Sequence, residues 1–214
     1  NRRVHVLHIT TSEEMDFLRK HKDTASVELL ANHLTLHAPE CYEKLGTLAQ
    51  QNPPIREKHH QDELWKALND GTVDILASDH APHTEEEKNT KYLNCPSGGP
   101  MVQHTILSLL QNCDNYGVSI EKIVEKISHN PAIIFEVHNR GFLREGYYAD
   151  IVLIDPNTST FVSKDSLLYK CGWSPFEGTS FKSRISHTFV NGSLVYKNFQ
   201  FYNANAAKRL TFNR

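Results

Sequence analysis

The sequence predicts an α/β protein whose final part turns to β-structure alone, and three observations carry that reading. Strand-like and helix-like apolar patterns alternate from Val4 to about Ile134, as they do when parallel strands are joined through helices. The pattern changes near Gly146, after which short apolar runs follow one another with no helical period between them. Within that tail, Asn191-Gly192 separates two apolar runs, a strong hairpin signal.

The elements follow in order. A buried strand is expected over Val4–Ile9, then a helix opened by Thr11 and Glu14 in the capping-box spacing, with Met15 and Leu18 as its apolar stripe. Ser26–Leu30 reads as a second strand and breaks into the stretch Asn32-His33-Leu34-Thr35-Leu36-His37. An irregular connection through Asn52-Pro53-Pro54 leads to a helix over about Asp62–Asn69, with Leu64, Trp65 and Leu68 on one face and Gly71 as its stop. Val73–Ala77 is a third strand, delivering Ser78-Asp79-His80-Ala81-Pro82-His83 at its C-terminal end.

Glu85–Lys88 reads as a charged loop and Gly98-Gly99-Pro100 as a turn. A strongly periodic helix is expected from Met101 to about Gln111, another after Ser119 as its cap, and a third opened by Asn130 as N-cap with Pro131 behind it. Strands are then expected over Ile151–Ile154, Ser159–Val162, Ile185–Val190 and Ser193–Tyr196. At roughly 150 residues per domain, 214 residues make one large domain, or one with a small companion. The change of character divides the chain into 1–145 and a β-rich 146–214.

Charge is nearly balanced, 23 Lys and Arg against 25 Asp and Glu, so the electrostatics of a nucleic-acid binder are missing. No apolar run approaches the length that spans a bilayer, and no membrane association is expected. Cys41, Cys95, Cys113 and Cys171 are scattered with no C-x-x-C pair, which reads as free thiols in a reducing cytoplasm. The chain opens on Asn1 and runs almost at once into a strand, which reads as a piece of something longer.

Chemistry concentrates around Asp79, at the end of an apolar strand and inside the densest group of titratable residues. A carboxylate there can ligate a metal, act as a base, cap a helix or sit in a buried ion pair. His8 ends the first strand in the same way, and imidazole with carboxylate suits a metal such as Zn²⁺. The remaining histidines read more plainly: His80 as a packing or ligand-orienting residue, His33 as structural, His21, His59 and His60 as solvated surface. Glu85-Glu86-Glu87 reads as an exposed loop face, and Arg56 as a partner for a carboxylate or for substrate.

The run Ser78-Asp79-His80-Ala81-Pro82-His83-Thr84-Glu85-Glu86-Glu87-Lys88 closely resembles the signature of the dihydroorotases of the amidohydrolase superfamily. Further matches come in family order: Val6-Leu7-His8-Ile9-Thr10-Thr11, Asn32-His33-Leu34, Asn52-Pro53-Pro54-Ile55-Arg56, Asp70–Asp74, Ser97–Pro100, Asn130-Pro131-Ala132, Gly146–Pro156 and Ser174–Gly178. The resemblance implies the C-terminal part of a TIM (β/α)8 barrel, about strands six to eight, followed by a segment of an accessory β-sandwich. It also implies two Zn²⁺ ions per complete site. His8 matches a metal-binding histidine, and Asp79 matches the aspartate that binds metal and moves the catalytic proton. His83 matches a residue holding the substrate carboxylate, while Asn52, Ser97 and Gly98 match positions along the pyrimidine ring edge. The implied reaction closes N-carbamoyl-L-aspartate to L-dihydroorotate, reversibly, in pyrimidine biosynthesis.

The family's remaining metal ligands and substrate-carboxylate ligands match nothing in this sequence. The chain is therefore expected to be inactive alone and ordered alongside a missing N-terminal portion, a partner chain or a swapped copy, with a homodimer as the assembly. Two alternatives stand beside this reading. One is a hydantoinase or allantoinase-like cyclic amidohydrolase, which the Gly98-Gly99-Pro100 turn suits and His83 disfavours. The other is an inactive dihydroorotase-like scaffold for aspartate transcarbamoylase, against which the retention of His8 and Asp79 speaks.

Overall fold

A computed structural model of the chain describes residues 3–202 and 205–213. Its first unit is a parallel sheet in the order β1 (Val4–Val6), β2 (Ala25–Leu30), β3 (Ile75–Ala77). Parallel neighbours require crossovers, and helices supply them. The first is α1 (Ser12–Arg19); the second runs through α2 (Ala31–Thr35), α3 (Glu40–Leu45) and α4 (Lys58–Asp70). Beyond β3 come α5 (Glu85–Lys88), α6 (Thr105–Asn112), α7 (Ile120–Val124) and α8 (Asn130–Ile134). The mixed α/β expectation is met.

The core forms where the sheet meets these helices. Val27 and Leu29 of β2, Met15 of α1, Trp65, Ala67 and Leu68 of α4 and Leu109 of α6 are all wholly inaccessible to water. Each large apolar side chain so buried contributes about 1.5–3 kcal/mol. Trp65 adds a hydrogen bond from Nε1 to the Leu34 carbonyl at 2.8 Å and stacks on Tyr116 with ring centroids 4.8 Å apart. On the outer face, Arg19 binds Asp16, Glu63 and Asp70, tying α1 to α4.

From β4 (Ile151–Asp155) onward all regular strand pairing is antiparallel. One sheet has the order β4, β7 (Arg184–Val190), β8 (Ser193–Lys197), β9 (Gln200–Phe201), and β5 (Thr160–Phe161) pairs with β6 (Ser180–Phe181). Asn191 and Gly192 both have positive φ, +49° and +82°, as a type I′ hairpin requires. Asn198 and Phe199 repeat the device at the next turn, where no Asn-Gly announced it. Val162, Phe176 and Phe181 join the same apolar cluster as Val27 and Leu109, so part of the β-rich tail packs into the core of the first unit.

Several expected elements shift. The first strand stops at Val6, because His8 takes a left-handed backbone (φ +42°), though Ile9 still donates to the Glu28 carbonyl at 3.0 Å. The helix expected from Asp62 starts at Lys58, and the one expected from Met101 starts at Thr105 after a turn. Glu85–Lys88 is a helical turn, opened by a capping box between Thr84 and Glu87. Asn130 does not begin a new helix. Residues 120–134 stay helical throughout, with a π-turn over Glu125–His129 immediately before Pro131, which lacks the N–H a regular helix would use. The Asn130 side chain instead donates to the Asp74 carbonyl at 2.8 Å, fastening this segment beneath β3.

Candidate active site

Because β1, β2 and β3 run parallel, their C-terminal ends share one edge of the sheet, and the loops beyond them carry the residues singled out by sequence. His8 lies two residues past β1 and Asp79 two residues past β3. Each has a left-handed backbone, φ +42° and +43°. For histidine this costs roughly 1 kcal/mol; aspartate tolerates it better. Such strain persists where surrounding structure enforces it, and it clusters at functional sites.

His8 lines a cleft of about 370 Å³ with Thr10, Thr11, Glu14, Pro53 and Arg56. The cleft is polar at its rim: Thr10 Oγ1 donates to the Pro54 carbonyl at 3.1 Å, and Glu14 caps Thr11. Behind it His33 is buried, its Nε2 3.2 Å from the Pro53 carbonyl and 2.7 Å from the Gln51 amide, its Nδ1 buried with no partner. Burial, with smaller contributions from the charges of His8 and Arg56, drives His33 down to about 4, so it is neutral at pH 7. The structural reading of His33 fits this burial.

The second cluster joins three loops. Asp79 itself is exposed at the strand end. Two residues on, the Ala81 N–H donates to the Gly99 carbonyl at 3.3 Å, while the Gly98 N–H donates to the Gln50 carbonyl at 3.1 Å. The loop of Ser97 and Gly98 is thereby tied to the loop of Asp79 and His83 and to the one that carries Asn52. Gly98 is required here: its φ is +120°, and a Cβ would lie 2.6 Å from the Ala81 oxygen. His83 is held on both sides, its carbonyl accepting from Trp173 Nε1 at 2.8 Å and its Nδ1 3.7 Å from the Glu87 carboxylate. Thr84 backbone and hydroxyl bonds, with His83 beside it, keep the Glu87 carboxyl below the usual range. Asn52 and Ser97 are exposed at the surface of this cluster.

Other histidines resolve into scaffolding. His80 is exposed rather than packed, and its Nδ1 accepts from the Met101 N–H at 3.1 Å. His60 is corrected: its ring is only 12% exposed, and Nδ1 accepts from the Ser12 N–H at 3.1 Å at the start of α1. His21 and His59 are exposed as expected. His104 was overlooked. It is buried among Tyr169, Phe176 and Phe181, with Nδ1 3.3 Å from Ser174 Oγ, and burial pushes it down to about 4. Lys88 was overlooked as well: read as part of a solvated loop, it is wholly buried. The same Thr-x-x-Glu spacing that opens α1 stands at Thr84–Glu87 and was the available signal for α5.

His8 and Asp79 are donors of the right kind for zinc, but among the described residues no three His, Cys, Asp or Glu side chains come together to hold a metal ion. The residues of this chain do not by themselves make a metal centre. Among the described residues no helix is long and apolar enough to cross a membrane.

A parallel sheet presenting strained polar residues at its C-terminal strand ends, joined to an antiparallel sheet, defines a class, and sequence comparison agrees. Residues 3–195 match the amidohydrolase family, and the chain belongs to it. Among its relatives, the dihydroorotase of Clostridioides difficile (strain 630) is 35% identical over 198 residues, covering 91% of this chain and 46% of that protein. The dihydroorotase of Pyrococcus furiosus is 33% identical over 193 residues, covering 89% and 44%. Similar solved structures include a dihydropyrimidinase from Brevibacillus agri NCHU1002, with a TM-score of 0.86 at 25% identity, covering 93% of this chain and 46% of that one. An L-hydantoinase from Arthrobacter aurescens gives a TM-score of 0.83 at 26% identity, with coverage of 94% and 46%. The chain spans less than half the length of these relatives.

Proposed function

We propose that this chain is the C-terminal portion of a dihydroorotase-type cyclic amidohydrolase. Residues 1–145 form about strands six to eight of its (β/α)8 barrel, and residues 146–214 form a segment of its accessory β-sandwich. The activity belongs to the longer polypeptide and interconverts N-carbamoyl-L-aspartate and L-dihydroorotate. One observation carries the reading: the loops of Asn52, of Asp79 and His83, and of Ser97 and Gly98 are hydrogen-bonded together beside the C-terminal ends of parallel strands. That edge is where barrel enzymes gather their chemistry.

In this reading Asp79 moves the proton. In ring opening, water oxygen bonds to the amide carbon as Asp79 accepts its proton; the ring C–N bond then breaks and Asp79 returns the proton to the departing nitrogen. His83, steadied by Trp173 and Glu87, faces the substrate carboxylate, with Asn52, Ser97 and Gly98 along the ring edge. His8 and Asp79 are this chain's share of a two-zinc site whose other donors lie outside it. Zinc would supply a Lewis acid and a water acidic enough to ionise near neutral pH.

The relatives named dihydroorotase favour this substrate, whereas the structural similarity to hydantoinases favours a five- or six-membered cyclic ureide of another kind. Hydrolysis of dihydroorotate, hydantoin and allantoin by the full-length enzyme separates the two. Turnover of dihydroorotate is expected, with Asp79→Asn lowering kcat by about 10²–10⁴-fold. No dihydroorotate turnover, or near-normal activity of D79N, overturns the assignment.

A further inference from the structure

Lys88 is the one lysine among the described residues with no exposed surface at all, and no carboxylate bonds to it. Its amine donates to the Gln50 carbonyl at 2.7 Å and to the Pro96 carbonyl at 2.8 Å. A buried amine is costly unless its N–H groups are satisfied, so a site that keeps one is using its bonds. Those bonds go to particular places. Gln50 stands two residues before Asn52, and Pro96 one residue before Ser97. Lys88 itself ends the short helix whose capping Glu87 lies 3.7 Å from His83.

We propose that Lys88 is a positioning residue that sets the substrate-facing loops of Asn52, Ser97 and Gly98 against the His83 turn. This inference rests on the proposed function for the identity of the substrate, but the clasp itself stands on geometry. Around the amine the loops are cross-linked further: Gln50 Nε2 donates to the Cys95 carbonyl at 2.9 Å, and Cys95 Sγ lies within 3.5 Å of the Thr47, Lys88 and Pro96 carbonyls. Burial makes the amine give up its proton more readily than an ordinary lysine, and the Cys95 thiol opposes this. Even a neutral amine keeps two N–H groups, enough for both carbonyls. An exposed lysine contributes charge to solvent; this one, on the segment that follows the His83 turn, ties the nearby Pro96 loop to the Gln50 loop, which is remote in sequence, while Asn52 and Ser97 stay exposed.

The test is Lys88→Met, which keeps most of the apolar stem and removes the amine with both of its bonds, made in the full-length enzyme. Loosening loops that hold the substrate away from the reacting atoms is expected to raise KM for dihydroorotate about tenfold while kcat changes less, since binding lost equally from ground state and transition state shows in KM. Amide exchange at Gly98, whose N–H bonds the Gln50 carbonyl, is expected to accelerate while the amides of α4 do not. If K88M does not fold, Gln50→Ala, which removes the bond to the Cys95 carbonyl from a half-buried position, is expected to move KM and Gly98 exchange in the same direction by less. A merely structural lysine would lower the melting temperature with KM and relative Gly98 protection unchanged, and that result overturns the proposal. An unsubstituted enzyme with no dihydroorotate turnover defeats the functional reading alone; the exchange comparison then decides the clasp, and unchanged Gly98 protection in K88M rejects it.

Discussion

Acidification from pH 7 to pH 4 should destabilise the fold through His104, and replacing that histidine by phenylalanine should remove its share. The ring is 2% exposed, packed against Tyr169, Phe176 and Phe181, and burial holds it down to about 4 from an ordinary 6.5. The folded state therefore carries it neutral while the unfolded chain takes up a proton below pH 6.5. Stability is complete above 6.5 and falls as pH drops, by about 1.4 kcal/mol per pH unit, until the folded ring also protonates near 4. Across that window the loss is about 3 kcal/mol, a large part of an ordinary domain's 5–15 kcal/mol. Urea titrations at a series of pH values, for the unsubstituted protein and His104→Phe, read this directly. At pH 7 the variant loses only the 3.3 Å contact to Ser174 Oγ, a hydroxyl that also accepts from the Phe176 N–H at 3.2 Å. It should therefore be nearly as stable there, within about 1 kcal/mol, and should show the shallower slope below 6.5. His33, also driven to about 4 by burial, contributes in the same window and remains in the variant, so some slope persists. Equal slopes in the two proteins, or a His104 ring that titrates near 6.5 by NMR, would refute the reasoning.

Two further predictions concern backbone conformation. Gly98→Ala places a Cβ 2.6 Å from the Ala81 oxygen at a φ of +120°, so the Ser97–Gly99 loop must part from the His83 turn. Loss of about 1–3 kcal/mol of stability is expected by denaturant titration, and unchanged stability would show that the two loops are not held together as described. His8→Gly relieves the left-handed backbone at φ +42° and should stabilise the fold by up to about 1 kcal/mol, a rise of roughly 2–4 °C in Tm. In the full-length enzyme the same change should lower bound zinc, read by metal analysis; intact zinc content would remove His8 from the metal site.

Much of the fold was legible in the chain because local signals and tertiary needs agree. The Thr11–Glu14 box begins α1, Gly71 with φ +91° ends α4, and Asn191-Gly192 turns the β7–β8 hairpin. Where they disagree, the sequence misleads. Val4–Ile9 is apolar enough for a full strand, yet His8 breaks the ladder because its backbone turns left-handed. Asn130-Pro131 has the composition of a helix start, yet a π-turn carries the helix up to it without a break and the Asn130 amide goes instead to the carbonyl of Asp74, the residue before β3. Lys88 stands in a run of charges, and nothing local says that its amine lies inside.

The sequence alone determined the α/β class and the β-rich tail, because short-range periodicity, caps and turn residues act over a few positions; it also placed Asp79 at a strand end among titratable groups, and the resemblance of Ser78–Lys88 to the dihydroorotase signature added His83. That Gly98 bonds Gln50 and Ala81 bonds Gly99, that the Lys88 amine reaches the Gln50 and Pro96 carbonyls, and that His33 and His104 are buried and neutral came from the tertiary structure alone. Burial and long-range hydrogen bonds depend on which distant segments the fold brings together. No local pattern encodes that.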